Sequence, residues 1–173
     1  MVRRLRYYGI ETVNKKDALF NKYYANINGY NSRLDEIQSC ILNIKLKHVE
    51  KFINKRINFA NYYLQQLKGT SLKLPTVNDY NKHVFHLFTV YHPKRDKIIK
   101  LLQKQKIEVR VIYPYPINTM KAYSKFHKNK ISVLNSYKFS KGIFSLPLYP
   151  DMELKEISKI CKALNKILKK IDT

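Results

Sequence analysis

Gly29-Tyr30-Asn31-Ser32-Arg33-Leu34-Asp35-Glu36-Ile37-Gln38 opens a stretch that runs to Leu67 with no further glycine and no proline. Its first residues have the chemistry of a helix start. Gly29 permits a turn, and Asn31 or Ser32 can cap the first free N–H groups. Asp35 and Glu36 place negative charge at the positive end of the helix dipole. Apolar residues then recur at helical spacing: Leu34, Ile37, Ile41 and Ile44, then Val49, Phe52, Ile53, Phe59, Tyr63, Leu64 and Leu67. One unbroken helix here would be about 50 Å long, so a bend near Lys45 to His48 is expected, giving two helices. A polar helix start also suits a phosphate, because the free N–H groups and the dipole both favour an anion.

Working outward, residues 1–28 show no clear period. They suggest a short helix or strand followed by a long loop through about Tyr24. Past the central stretch, Gly69 ends the helical pattern. Val84 to Tyr91 reads as a strand, rich in aromatic and β-branched residues. Arg95 to Gln105 is amphipathic. Ile107 to Ile112 alternates like a second strand, and Tyr113-Pro114-Tyr115-Pro116 must leave any central sheet because proline lacks the N–H. Residues 117–132 suggest an ordered loop with a helical turn, and Val133 to Phe139 a short helix. Ile143 to Pro147 reads as a third strand. The last helix carries Leu154, Ile157, Ile160, Cys161, Leu164, Ile167 and Leu168 on one stripe, with Asp151 as its expected N-cap. The fold expected is α/β (α+β): long helices followed by a small sheet covered by helices. The division expected is 1–67 for the helical part and 68–173 for a small α/β domain.

The 173 residues carry a formal net charge of +22, with 27 lysines against 7 arginines. Such a charge suits nucleic acid or an anionic surface. The lysines are spread along the whole chain, however, with no Arg-rich stripe, so a solvated surface is the plainer reading and no nucleic-acid partner is expected. Cys40 and Cys161 both fall in expected helices and belong to no C-x-x-C pair, which fits reduced, buried thiols. No apolar run approaches a membrane span. A soluble, cytoplasmic protein is expected.

Taken alone, the candidate sites have bland readings. His83 and His86 lack the acidic or cysteine partners that a metal site needs, so no metal is expected. Four glycines leave no glycine-rich phosphate loop. Asn31 and Arg33 could simply cap a helix and form a salt bridge. Composition and spacing reach no further than an α/β domain.

The order of short motifs reaches further. Gly29-x-Asn31-x-Arg33-Leu34-x-Glu36-Ile37-Gln38 resembles the signature of the DegT/DnrJ/EryC1/StrS sugar aminotransferases. Leu5-Arg6-Tyr7-Tyr8-Gly9 is similar to a second segment of that family. Arg95-Asp96, Tyr113-Pro114-Tyr115-Pro116 and Leu146-Pro147-Leu148-Tyr149-Pro150 fall in the family's order. The tyrosine variant of the second segment looks most like enzymes that aminate 3-keto sugars on dTDP.

The resemblance implies the C-terminal part of a dimeric, pyridoxal-phosphate-dependent transferase, starting late in its large domain. The complete reaction would move an amino group from glutamate to a keto sugar nucleotide, in polysaccharide or deoxyamino-sugar biosynthesis. In the family, the lysine that bonds covalently to the coenzyme lies upstream of the L-R-x-[HY]-G segment, as does the aspartate facing its ring nitrogen. No catalytic residue is therefore expected here, and the chain alone is expected to be inactive. Asn31 matches the asparagine that reaches across the dimer to the partner's coenzyme phosphate, and Arg33 matches the neighbouring arginine. Where many members have H-Y-P-x-P-x-H, this chain has Ile112 and Asn118 in place of the histidines. Tyr113 and Asn118 remain as substrate-pocket candidates. The expected partners are a second copy or a separately encoded N-terminal half. The alternatives are a non-catalytic basic binding module and an inactive partner of a full-length aminotransferase.

Overall fold

The structure, a computed structural model, describes residues 1–10, 24–126 and 133–172. They form two compact units, Met1–Val49 and Glu50–Thr173.

The first unit holds helix α1 (Val2–Leu5) and helix α2 (Glu36–Leu46). The cap of α2 corrects the sequence expectation. Neither Asn31 nor Ser32 caps it; Asp35 does, its carboxylate accepting from the Ile37 N–H at 2.9 Å. The reason lies upstream, where residues 30–32 are paired in an extended ladder and cannot turn into a helix. The chain first becomes free to cap at Asp35. None of α2 is buried. Ile37 (72% exposed), Ile41, Leu42, Ile44 and Leu46 all face outward. Cys40 is exposed as well, against the expectation of two buried thiols.

The expected break between helices is present: α2 stops at Leu46 and α3 (Val49–Gln66) starts after a short turn. Helix α3 ends where the chain turns at Gly69, whose φ of +78° is the left-handed conformation glycine tolerates best. Its last turns bury Phe59, Ala60 and Tyr63, with Leu67 beyond.

The sheet of the second unit is smaller than the alternation pattern suggested. Strands β1 (Phe88–Tyr91) and β2 (Ile143–Leu146) pair antiparallel, with Phe88 opposite Leu146 and Val90 opposite Phe144. The expected strand over 84–91 keeps only its second half, because Phe85 takes φ +46° and breaks the extended run. The expected strand over 107–112 contributes one bridge, Arg110 to Ser145. On the other side, Lys73 bridges Tyr91.

Helices α4 (Arg95–Lys104), α5 (Leu134–Ser140) and α6 (Leu154–Asp172) complete the unit. Between them, short 3-10 turns occupy Ile117–Thr119 and Lys121–Phe126. Asp151 does not cap α6, which starts three residues later. There the Glu156 carboxylate accepts from the Glu153 N–H at 2.8 Å instead. The core gathers Tyr63 and Leu67 of α3, Phe88 and Phe144 of the sheet, Ile98 and Leu102 of α4, and the apolar stripe of α6. Burial pushes the Cys161 thiol up to about 11, and it raises the Tyr63 hydroxyl well above the tyrosine range, with Cys161 adding to the effect. Tyr63 still spends its proton, donating to the Pro147 carbonyl at 3.0 Å.

Candidate functional site

The two motifs of the first unit, some twenty residues apart in sequence, are zipped together by backbone pairing. Tyr30 N–H donates to the Leu5 carbonyl at 2.7 Å, Tyr8 N–H to Tyr30 at 3.0 Å, and Ser32 N–H to Arg6 at 3.0 Å. Tyr7 and Asn31 face each other as a β-bridge. This close approach explains Gly29: a Cβ there would collide with the backbone of Gly9, which itself has φ +79°. Gly29 therefore acts by closeness rather than by turning the chain.

The ladder presents side chains outward. Asn31 and Arg33 are both exposed and two residues apart. Tyr7 and Tyr8 meet edge to face at 5.7 Å. The Arg33 guanidinium lies 4.9 Å from the Tyr7 ring centroid and 5.7 Å from that of Tyr8. Cation–π contact holds the arginine over the two rings without spending its N–H groups on a carboxylate. Among the described residues no acid pairs with Arg33. A neutral amide beside a guanidinium is a donor set for an anion with several oxygens. At the α2 N-terminus part of this capacity is already used. Asp35 already takes the Ile37 N–H, and its carboxylate together with Glu36 offsets the dipole. The side chains of Asn31 and Arg33 add donors that this negative charge does not take up.

Tyr113 and Asn118 belong to the second unit. Tyr113 is 75% exposed on the proline-framed turn. Asn118 is half-buried in the turn Ile117–Thr119, which Thr119 closes through its hydroxyl bond to the Pro116 carbonyl at 2.7 Å. A cavity of about 540 Å³ also lies in this unit, with Ile107, Leu146, Leu148, Met152 and Ile160 on its walls. It contains neither of the two residues.

The His83 Nδ1 accepts from the Phe85 N–H at 3.0 Å. Among the described residues no group of histidine, cysteine and acid could hold a metal, and no helix is long and apolar enough to cross a membrane. Sequence reasoning missed the Tyr7–Tyr8 platform under Arg33, although the aromatic doublet before Gly9 was its signal. It also missed Arg56, whose Nη1 reaches the carbonyls of Leu148 (2.9 Å), His86 (3.1 Å) and Phe85 (3.4 Å).

The model of the DegT/DnrJ/EryC1/StrS aminotransferase family matches residues 1–165. A dTDP-3-amino-3,4,6-trideoxy-alpha-D-glucose transaminase of Micromonospora megalomicea subsp. nigra is 34% identical over 172 residues, covering 96% of this chain and 44% of that enzyme. The crystal structure of S. venezuelae DesV in complex with a ketimine intermediate superposes with a TM-score of 0.85 at 30% identity, over 95% of this chain and 42% of DesV. NtdA of Bacillus subtilis, solved with bound cofactor PMP, superposes with a TM-score of 0.81 at 26% identity, over 96% of this chain and 38% of NtdA. The chain thus spans less than half the length of these relatives.

Proposed function

The chain belongs to the DegT/DnrJ/EryC1/StrS aminotransferase family, and from that premise we propose that it is the C-terminal portion of a pyridoxal-phosphate-dependent sugar-nucleotide aminotransferase. Its part is to grip the coenzyme phosphate and to border the substrate. The observation that carries this reading is the exposed Asn31–Arg33 pair on its paired ladder, with the arginine held over Tyr7 and Tyr8.

The residues fit the group. The Asn31 amide donates to a phosphate oxygen, and Arg33 supplies a fixed positive charge beside it. The tyrosine rings limit the rotamers of Arg33, so less freedom is lost when the anion arrives. Tyr113 and Asn118 offer a hydroxyl and an amide to the hydroxyl-rich sugar nucleotide. The coenzyme, when bound, serves as the electron sink for the carbon that loses or gains the amino group. The lysine that bonds to it is supplied by polypeptide outside the segment matched here. The chain by itself is therefore a binding half, without transaminase activity.

The test has two arms. Purified chain is mixed with pyridoxal phosphate, reduced with borohydride and digested; no single lysine is expected to be labelled stoichiometrically. The chain is then co-expressed with the upstream part of the Micromonospora megalomicea relative. Coenzyme retention is expected to appear and to weaken at least about tenfold, about 1.4 kcal/mol, in Asn31→Ala. A one-to-one lysine adduct on the isolated chain, or an Asn31→Ala complex with undiminished affinity, overturns the assignment.

A further inference from the structure

The charge of +22 looks evenly spread in the sequence, but folding concentrates part of it. Helix α6 turns Lys155, Lys159, Lys162, Lys166, Lys169 and Lys170 outward, and all six are exposed. At the helical repeat they share a sector roughly 100° wide and extend roughly 22 Å along the axis. Two acids of this region are turned to other partners. The Glu156 carboxylate turns back to the Glu153 N–H at 2.8 Å, and that of Asp172 sits 3.5 Å from the His92 Nε2. Lys155 pairs with Glu153 at 2.6 Å, whereas among the described residues Lys159, Lys162, Lys166 and Lys170 have no acidic partner within 4.0 Å. Lys155, Lys159, Lys162 and Lys166, together with Gln105 and Ser158, wall a groove of about 510 Å³ along the helix.

An ordinary solvated helix face interleaves charges of both signs, so that neighbours three and four residues apart attract. Here those neighbours repel: 155 with 159, 159 with 162, 162 with 166, and 166 with both 169 and 170. A line of like charges at this spacing works against its own helix and is relieved by a linear polyanion. A bilayer surface fits less well. Membrane-surface helices insert an apolar face, and the apolar face of α6 is already spent in the core, from Ile157 through Ile171.

We propose that this lysine ridge binds the phosphodiester backbone of a nucleic acid strand. With phosphates about 3.4 Å apart along the strand axis, the ridge spans roughly six of them. Groove and ridge carry no aromatic residue on which a base could stack, so binding is independent of sequence. This function is separate from the coenzyme site and does not rest on it.

The experiment is fluorescence anisotropy of the full chain with a labelled oligodeoxythymidylate of about 16 nucleotides. Counting Lys159, Lys162, Lys166 and Lys170 gives a slope of log affinity on log salt of about −2.8, or about a fiftyfold loss between about 50 and about 200 mM salt. Lys159→Gln/Lys162→Gln/Lys166→Gln keeps the helix and is expected to reduce the slope to about −0.7. A control removes the same charge from exposed lysines elsewhere, Lys45→Gln/Lys51→Gln/Lys68→Gln, and is expected to keep most of the slope. Circular dichroism checks that both variants fold, and single Lys162→Gln and Lys166→Gln variants replace the triple if it does not. Equal loss in ridge and control variants means generic charge and overturns the site. So does binding to phosphatidylserine vesicles through these lysines without binding to the oligonucleotide.

Discussion

Replacing Arg56 by methionine should cost the second unit about 3 kcal/mol. Arg56 is half-buried on α3, and one nitrogen of its guanidinium reaches three backbone carbonyls. The contacts to Leu148 and His86 are of good length, whereas that to Phe85, at 3.4 Å, is marginal, and a single Nη1 has only two hydrogens to give. Two hydrogen bonds from a charged donor contribute about 1.5–3 kcal/mol each. Partial exposure lets water take over some of the carbonyls, which lowers the sum. Phe85 works in the same direction. It is held at φ +46° with its ring buried against Phe88, and a non-glycine residue in that region costs roughly 1–2 kcal/mol. Releasing it returns part of the loss. Methionine keeps the aliphatic stem, so the measured change reports the guanidinium rather than the packing.

The assay is urea unfolding followed by far-UV circular dichroism, since the chain has no tryptophan. A loss of about 3 kcal/mol corresponds to a drop of roughly 6–12 °C in melting temperature for a chain of this size. Arg56→Lys is expected to fall between parent and methionine variant, because an ammonium keeps the charge but loses the fork geometry. A methionine variant within about 0.5 kcal/mol of the parent would refute the reasoning. The three carbonyls would then be satisfied as well by water as by Arg56.

Three further outcomes are expected. Lys106 has φ +58° just past the end of α4, where the Ile107 N–H returns to the Leu102 carbonyl at 3.1 Å; Lys106→Gly should stabilise by about 0.5–1 kcal/mol in the same urea assay, and no gain would remove the strain argument. The folded chain keeps the Cys161 thiol protonated up to about 11, against 9.0 when unburied, so its contribution to stability is complete below pH 9 and falls as pH rises from 9 to 11; the urea midpoint should decline over that window, while exposed Cys40 reacts with a thiol reagent in the folded state and Cys161 only after unfolding. The bare aliphatic residues of α2 should cause self-association at physiological salt, and Ile37→Lys/Ile41→Lys/Ile44→Lys should disperse it in sedimentation velocity, an expectation that a monodisperse parent chain would end.

What could be seen in the sequence was whatever depends on neighbours one to four residues apart. The stripes of α4 and α6 are read correctly because a helix buries one face and the spacing of Ile98 with Leu102, or Ile157 with Cys161 and Leu164, states that directly. The break after Leu46 was visible for the same reason. The misread positions all answer to partners far away in the chain. Residues 30–32 stay extended because they pair with residues 5–8, and this moves the α2 cap to Asp35. Phe85 leaves the strand conformation in a loop that Arg56 pins from thirty residues earlier. The alternation of Ile107 to Ile112 is genuine, yet only Arg110 finds a partner across from it. At the candidate site, Asn31 and Arg33 were identified by resemblance, while the reason Arg33 stays available, the two tyrosine rings, required the fold.

The two units also differ in what sustains them. The buried hydrophobic side chains among the described residues start at Phe59 and lie in the second unit. The first unit carries the Asn31–Arg33 pair on a ladder joined to an eleven-residue helix that buries none of its residues. A helix of that length is marginal in water even with good propensity, and Ser39 adds only a hydroxyl bond back to the Asp35 carbonyl. Its apolar residues make their stabilising contacts only when another surface covers them. The order of the Asn31–Arg33 ladder therefore rises and falls with that coverage. On the proposed reading, phosphate grip would be conditional on assembly: a surface that hides Ile37, Ile41 and Ile44 would also steady the segment proposed to hold the anion.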